Sequence, residues 1–318
     1  MGIFAMILRL QLLIDESKVY TTIRELRWQS GCRCPFCSSN KIRKRGKNDR
    51  HQGCQRYQCK KCAKRFDDLT GTIFSGHHQP ITVWISYLYL LGLNVSNAQI
   101  AQELGLCESD SQRMAEQLRQ GVVMRKPPVQ LAGEVECDEV YVVAGHKGIP
   151  AAIKNRDPRR NRLKGARGRG TLATEKPPVF GMIQRDGQVR IVMLPNVQQH
   201  TIKPFIEQTI SKGTLIYTDE YAIYNRLEEW GYSHKTVNHS AGEYARDEDG
   251  DGFHEVHVNK MEGFWSLLRS WLRPHRGISQ EKLPLYLGFF EFIHNVRKRG
   301  QALLEPLLSL LLQPKICP

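Results

Sequence analysis

Three carboxylates of this 318-residue chain stand in segments otherwise built for burial. Asp138 lies inside GEVECDEVYVV (133–143), whose alternation and Val and Tyr content predict a strand. Asp219 closes the apolar run TLIYTD, where a side chain emerges at the carboxyl end of a sheet. Glu262 belongs to HVNKMEGFWSLLRSW (257–271), in which Met261, Phe264, Trp265 and Leu268, with Leu272 just beyond, form the inward stripe of a helix. Acids in such places are costly unless they are paired or bind a cation. Two or three of them converging can hold two Mg²⁺ ions, which activate an attacking oxygen and steady the leaving one in phosphodiester chemistry. Taken singly, each reads first as a strand-end or surface residue. Glu136 and Glu139 compete with Asp138, and Glu220 with Asp219. Arg269 follows Glu262 two turns along one line of the helix, and Asn259 precedes it by one turn. The plain alternative for these three is a solvated, ion-rich flank.

A second cluster has the spacing of metal ligands. Cys34-Pro-Phe-Cys37 and Cys59-Lys-Lys-Cys62 are two CxxC pairs separated by 21 residues. Each knuckle turns two thiolates towards one cation, and together they complete a tetrahedral Zn²⁺ site. Four thiolates leave no open position, so this metal holds structure and performs no chemistry. Cys32 and Cys54 fall outside the paired spacing and read as spectators. Six of the nine cysteines crowd into residues 32–62, which in a reducing cytosol points to metal rather than disulfides. Residues 41–65 carry eleven Lys and Arg against one acid, Asp49, with Tyr57 and Phe66 interleaved. That composition suits contact with phosphates, docking to protein being the alternative.

Periodicity predicts the elements that must position these groups. Residues 1–30 read as a lead-in with a helical TTIRELRW, and 31–75 as the ribbon. A helical domain spans 78–125 before KPPVQLAG (126–133) breaks the pattern as a linker. The strand holding Asp138 comes next, and two apolar runs around Asp186-Gly187 (177–195) predict a hairpin. A helix (201–211), a strand (213–219), a helix (220–230), a strand (233–239), the Glu262 helix and a last amphipathic helix (283–297) complete the series. This order predicts an α/β fold with a mixed sheet over residues 133–300, a basic insertion at 145–170 and a C-terminal tail at 301–318.

Within the helical domain, SNAQIAQELGLCESDSQRMAEQLRQ (96–120) has a short helix, a break at Gly105 and a second helix after Ser109. That is a helix-turn-helix pattern, with Gln112, Arg113 and Gln117 as the groove-facing side chains of its second helix. The insertion 145–170 holds nine Lys or Arg and one acid. It reads as an arm that orders on DNA phosphates, with Arg159, Arg160, Arg162 and Arg167 among its contacts, or else as a solvated insertion. His275 and Arg276 are further candidate contacts. The acidic run DEDGD (247–251) reads as capping and solvating its loop.

Lys plus Arg number 46 against 32 Asp plus Glu, a formal charge of +14, which favours a polyanionic partner such as double-stranded DNA. Charge alone fits a ribosomal or other basic protein as well. The apolar opening MGIFAMILRLQLLI is interrupted by Arg9 and falls short of the ~20 residues that span a bilayer. It also lacks a basic leader and a cleavage site, so the expectation is a cytosolic protein.

The blocks ECDEVYV, IYTDEYAIY and HVNKMEGFWSLLR resemble, in order and context, the three catalytic blocks of insertion-sequence transposases with a DDE-type core. The chain is similar in particular to the ISXO-like branch, which places a CPxC…CxxC zinc ribbon and a helix-turn-helix before that core. RW…G…CPFC, FDDLTGTIF and GHKG fit as well, and the resemblance covers nearly all of residues 20–298. It implies a ribonuclease H-like mixed sheet with flanking helices, cleavage at transposon ends dependent on Mg²⁺ or Mn²⁺, and strand transfer into target DNA. It further implies a prokaryotic cytosol and a homodimer or higher assembly on DNA. Asp138 would be the first metal ligand and Asp219 the second. The third block offers Asn259 and Glu262; Glu262 is preferred because two dications gain more from a carboxylate than from an amide. Arg269 matches the family's basic position. A nuclease or resolvase on the same fold, and a DNA-binding regulator descended from a transposase, are the alternatives.

Overall fold

The computed structural model describes residues 14–146, 151, 169–238, 243, 245–248, 250–252, 254–275 and 277–314. It has two units, residues 1–126 with 296–318 and residues 127–295.

In the first unit the Asp15 carboxylate accepts the backbone N–H groups of Ser17 and Lys18 and so caps α1 (Glu16–Arg27). Arg24 of that helix donates to Asp68 at 2.7 Å. Asp68 is wholly buried and also accepts the Gln55 N–H at 2.7 Å and the Tyr57 hydroxyl at 3.1 Å. One satisfied acid thus ties the lead-in helix to the cysteine-bearing segment. That segment is an antiparallel sheet of β1 (Ile42–Lys47), β2 (Gln55–Cys59) and β3 (Arg65–Asp67). Tyr57 and Phe66 face each other across β2 and β3 with rings stacked at 5.2 Å, and Trp28 meets Tyr57 edge-on. Three helices follow, α2 (Ile81–Gly92), α3 (Asn97–Leu104) and α4 (Glu108–Arg125). Ser96 caps α3, and Gly105 ends it at a φ of 64°, the left-handed conformation that glycine adopts without strain.

The second unit is a five-stranded mixed sheet in the order β6-β5-β4-β7-β8. Its strands are β4 (Glu134–Tyr141), β5 (Pro178–Gln184), β6 (Val189–Met193), β7 (Leu215–Asp219) and β8 (Ser233–Val237). β4, β5 and β6 are antiparallel neighbours, whereas β7 runs parallel to β4 and β8 parallel to β7. Asp186 turns the predicted hairpin at a φ of 59°. Between β6 and β7 lies α5 (Gln199–Thr209), whose Ile202 and Ile206 pack with Val135, Cys137, Phe180 and Met182 of the sheet. A two-stranded ribbon, β9 (Ala245–Arg246) and β10 (Val256–His257), leads into α6 (Asn259–Leu272), and α7 (Leu283–Val296) follows. This architecture is consistent with a ribonuclease H-like domain.

Two expectations differ from the structure. Residues 220–230 form no helix; a 3₁₀ turn at Ala222–Tyr224 and further tight turns replace it. Their i→i+3 hydrogen bonds allow Ile223, Tyr224, Leu227 and Trp230 to enter the core together. Residues 301–311 of the expected tail are a helix, α8 (Gln301–Leu311), that belongs to the first unit. Its Leu303, Leu307, Leu308, Leu310 and Leu311 are buried, and Leu307 and Leu311 pack towards Gly92 of α2 and Gly121 of α4. Five leucines on an uncovered tail would stand in water, and the first unit covers them. Among the described residues, no helix is long and apolar enough to cross a membrane.

Candidate active site

Strand alternation sorts the acids of β4 between two faces. Val135 and Cys137 point into the core beneath α5, so Glu136 and Asp138 face α6. Asp138 pairs across the sheet with Gly181, where an added Cβ would stand 2.0 Å from Met261 Cε and 2.5 Å from the Trp265 ring. The missing side chain lets α6 come down on the sheet at this point. Trp265 Nε1–H then donates to Asp138 Oδ2 at 2.9 Å. Burial, reinforced by the charges of Asp219 and Glu262, pushes the Asp138 carboxyl up to about 6.

Asp219 ends β7, two strands of the same parallel pair bringing it beside Asp138, and its Oδ1 accepts the Tyr221 N–H at 3.1 Å. Glu262 lies in the first turn of α6 and is exposed; Asn259 and Arg269 are exposed on the same helix. Strand β4, strand β7 and helix α6 therefore bring Asp138, Asp219 and Glu262 near enough for the charges of Asp219 and Glu262 to act on Asp138, a repulsion that a bound cation would relieve.

The competing acids are placed differently. Glu139 is on the opposite face, accepts the Tyr224 hydroxyl, and is pushed up to about 8 by burial, so it is largely protonated at neutral pH. Glu220 is exposed. Glu136 is wholly buried, accepting Arg185 Nε–H at 3.0 Å and the Met261 N–H at 2.9 Å, with His257 Nδ1 3.2 Å away. Arg185 also donates to the His257 carbonyl at 3.0 Å and lies 3.9 Å from the centre of the Tyr217 ring. Glu136 and Arg185 thereby fasten the start of α6 to β4, which sets where Glu262 stands relative to Asp138. Sequence reasoning missed this clamp and the Trp265 hydrogen bond. The charge of Glu136 was visible, but its long-range partners were not.

The four cysteines come together. Cys34 and Cys62 sulfurs are 3.6 Å apart, as are those of Cys37 and Cys59, and all four lie within 4.8 Å of one another. Among the described residues they are the one group of three or more candidate ligands gathered so tightly. Backbone N–H groups of Cys62 and Lys61 point at Cys59 Sγ and pull its thiol down to about 6, towards the thiolate a metal needs. The cluster fits a zinc ribbon. Cys32 and Cys54 stay outside it, with burial pushing their thiols up to about 11 and about 12.

Of the expected groove-facing residues, Gln112 and Arg113 are exposed on α4. Gln117 is turned into the fold instead, donating to the Ile73 carbonyl at 2.6 Å and meeting His77 Nε2 at 2.6 Å. The carbonyl of a neighbouring turn offers that amide a partner within the unit. His275 is likewise no surface contact: it is buried between the Trp271 and Tyr286 rings, at 5.1 and 5.2 Å. Arg159, Arg160, Arg162, Arg167 and Arg276 lie outside the described residues; Arg169, at the end of the basic insertion, sits 3.6 Å over the Tyr221 ring. In the acidic run, Asp247 accepts the N–H groups of Gly250 and Gly252, and Glu248 pairs with Lys235 and Arg246. These acids stabilise their loop.

Known proteins have related sequences. A protein of the transposable element ISH50 from Halobacterium salinarum, itself uncharacterised, is 32% identical over 301 residues, covering 93% of this chain and 97% of its own length. An uncharacterised transposase-like protein of Haemophilus influenzae is 30% identical over 108 residues, 34% of this chain and 81% of its own. A chain from the simian T-cell lymphotropic virus intasome in complex with PP2A regulatory subunit B56 gamma aligns at a TM-score of 0.29 and 10% identity, covering 73% of this chain and 76% of its own, too slight a likeness to bear on the fold. The ISXO2-like transposase domain matches residues 130–295, the whole sheet with α5, α6 and nearly all of α7. With more than half its length matched by that domain and nearly all of it by the ISH50 protein, the chain belongs to the ISXO2-like transposase family.

Proposed function

We propose that this protein is an insertion-sequence transposase that binds transposon ends and carries out phosphodiester hydrolysis and strand transfer on double-stranded DNA, with Asp138, Asp219 and Glu262 as its metal ligands. The observation that carries the reading is the placement of Asp138 on β4, Asp219 at the end of β7 and Glu262 in the first turn of α6, where the charges of the latter two reach an Asp138 carboxyl that burial pushes up to about 6. That donor set, all carboxylate oxygen, suits Mg²⁺ or Mn²⁺. When bound, such ions make an attacking oxygen nucleophilic and neutralise charge on the leaving one.

The chain's own residues do the rest. Trp265 holds one oxygen of Asp138 and leaves the other for a ligand role. Arg269, two turns from Glu262, faces the DNA and draws a phosphate into line. Asn259 orients the beginning of α6. Cys34, Cys37, Cys59 and Cys62 hold a structural Zn²⁺. Gln112 and Arg113 read the groove, and Arg159, Arg160, Arg162 and Arg167 take phosphates without regard to sequence.

The test incubates purified protein with labelled transposon-end DNA, target DNA and Mg²⁺. Nicked and then joined products are expected; nicking alone would make the protein a nuclease, and binding alone a regulator. Glu262→Gln should lower cleavage by orders of magnitude while DNA binding survives, and Asn259→Ala should cost less. The reverse ranking would assign the third ligand to Asn259 and leave Glu262 in the ion-rich flank.

A further inference from the structure

The small sheet of the first unit has two unlike faces. Tyr57 and Phe66 are buried with Cys34 and Cys59, so alternation puts Arg56 and Gln58 of β2, and Arg65 and Asp67 of β3, on the other side. Arg43 and Arg45 of β1 join them, Arg43 opposite Gln58 and Arg45 Nε–H donating to the side-chain Oε1 of Gln58 at 2.8 Å. A cleft of about 540 Å³ opens there, lined by Arg45, Arg56 and Arg65, one arginine from each strand, with Asp67, Thr70 and parts of Tyr57 and Phe66. The acids nearby are largely committed. Asp67 Oδ1 accepts the N–H groups of Leu69 and Thr70 and the Thr70 hydroxyl, and Asp49 pairs with Arg56 from an 88% exposed position.

We infer that this arginine-lined cleft is a binding site for the sugar-phosphate backbone of duplex DNA, separate from the acids of the second unit and from the exposed residues of α4. The inference rests on the reading of the protein as DNA-binding and names a further site for it. Three guanidinium groups on a pleated surface, one donating to Gln58 and one to Asp49, offer further N–H donors that suit phosphate oxygens. Strands spaced about 4.8 Å apart, with alternate residues about 6.8 Å along each, allow successive phosphates of one strand to be met together. An open lining with three arginines fits an extended sugar-phosphate backbone.

The test uses the full chain and a short labelled duplex of unrelated sequence, with affinity measured by anisotropy across a range of salt. The variant Arg45→Gln, Arg56→Gln, Arg65→Gln should flatten the plot of log K against log salt by about 2.7, since each lost phosphate contact removes about 0.9. Extrapolated to about 0.1 M salt, that is a loss of up to ~500-fold. Replacing the same arginines by lysine should keep the slope and lose several-fold in affinity, because the charge remains while the guanidinium does not. This variant decides the matter if the glutamine variant proves misfolded by circular dichroism. Removing three charges at the knuckle end (Lys41, Lys60 and Lys61 to Gln) should change the slope far less. An unchanged slope in the arginine variant, or an equal change in the lysine control, overturns the site. If the unaltered protein cleaves and joins DNA in either case, the transposase reading stands without this cleft; if it fails to bind duplex at all, both fall.

Discussion

Arg185→Met isolates the clamp between β4 and α6. It leaves the Glu136 carboxylate, wholly buried, with the Met261 N–H and His257 Nδ1 at 3.2 Å but without the guanidinium at 3.0 Å. Breaking a buried ion pair from one side costs about 3–5 kcal/mol. Loss of the Arg185 contacts with Tyr217 and the His257 carbonyl adds roughly 1 kcal/mol. Adding Glu136→Gln to Arg185→Met removes the stranded charge and keeps an acceptor for Met261, so the double variant should be about 2 kcal/mol more stable than Arg185→Met alone. Urea titrations followed by tryptophan fluorescence measure both differences. A cost of Arg185→Met below about 1 kcal/mol, or a double variant no more stable than Arg185→Met, would refute the argument that Glu136 is a buried charge held by Arg185.

Chelating the metal should unfold the cysteine ribbon of residues 31–70 while the five-stranded sheet keeps its circular dichroism, because four thiols without a cation hold too little structure together; unchanged protease resistance of the ribbon after chelation, or purified protein without zinc, would count against it. Gly181→Ala should destabilise the second unit by about 1–3 kcal/mol, since its Cβ would collide with Met261 and Trp265 on the helix above; wild-type stability would show that α6 does not press on the sheet there. Glu139 has its folded pKa raised to about 8, so the folded state keeps a proton the unfolded chain gives up near 4.3. Its stabilising contribution is complete below that lower value and is lost as pH rises towards about 8, at up to about 1.4 kcal/mol per unit. Glu139→Gln should remove this decline in metal-free buffer, and parallel stability curves for the two proteins would contradict it.

How much was legible in the sequence varies with the range of the interactions concerned. The sheet's strands, the Asp186 turn and the CxxC pairs were readable because each depends on alternation or spacing within a few residues. Asp138 and Asp219 stood out because acids in apolar runs violate local expectation. Trp265 did not, since on a helical stripe it looks like any packing residue, and its N–H finds Asp138 only after 127 positions of chain have folded back. Glu136 was weighed merely as a rival to Asp138; its role depends on Arg185 and on the first turn of α6. Gln117 followed helical phase towards a groove, but helical phase carries no information about a carbonyl at Ile73. Residues 220–230 scored as helix by propensity, and burial of Tyr224 and Trp230 together overrode it.

The return of α8 to the first unit has a consequence for synthesis. The second unit is inserted between two parts of the first, so the chain crosses from one to the other twice, near Lys126 and near Val296. A nascent chain that has emerged as far as residue 296 contains every strand of the five-stranded sheet, yet α2 and α4 still await the leucines of α8. The order of maturation is thus inverted relative to the order of translation: the part begun first is finished last. Until residues 301–311 appear, the apolar faces around Gly92 and Gly121 lie open, and that interval is when the polypeptide is most exposed to misassociation.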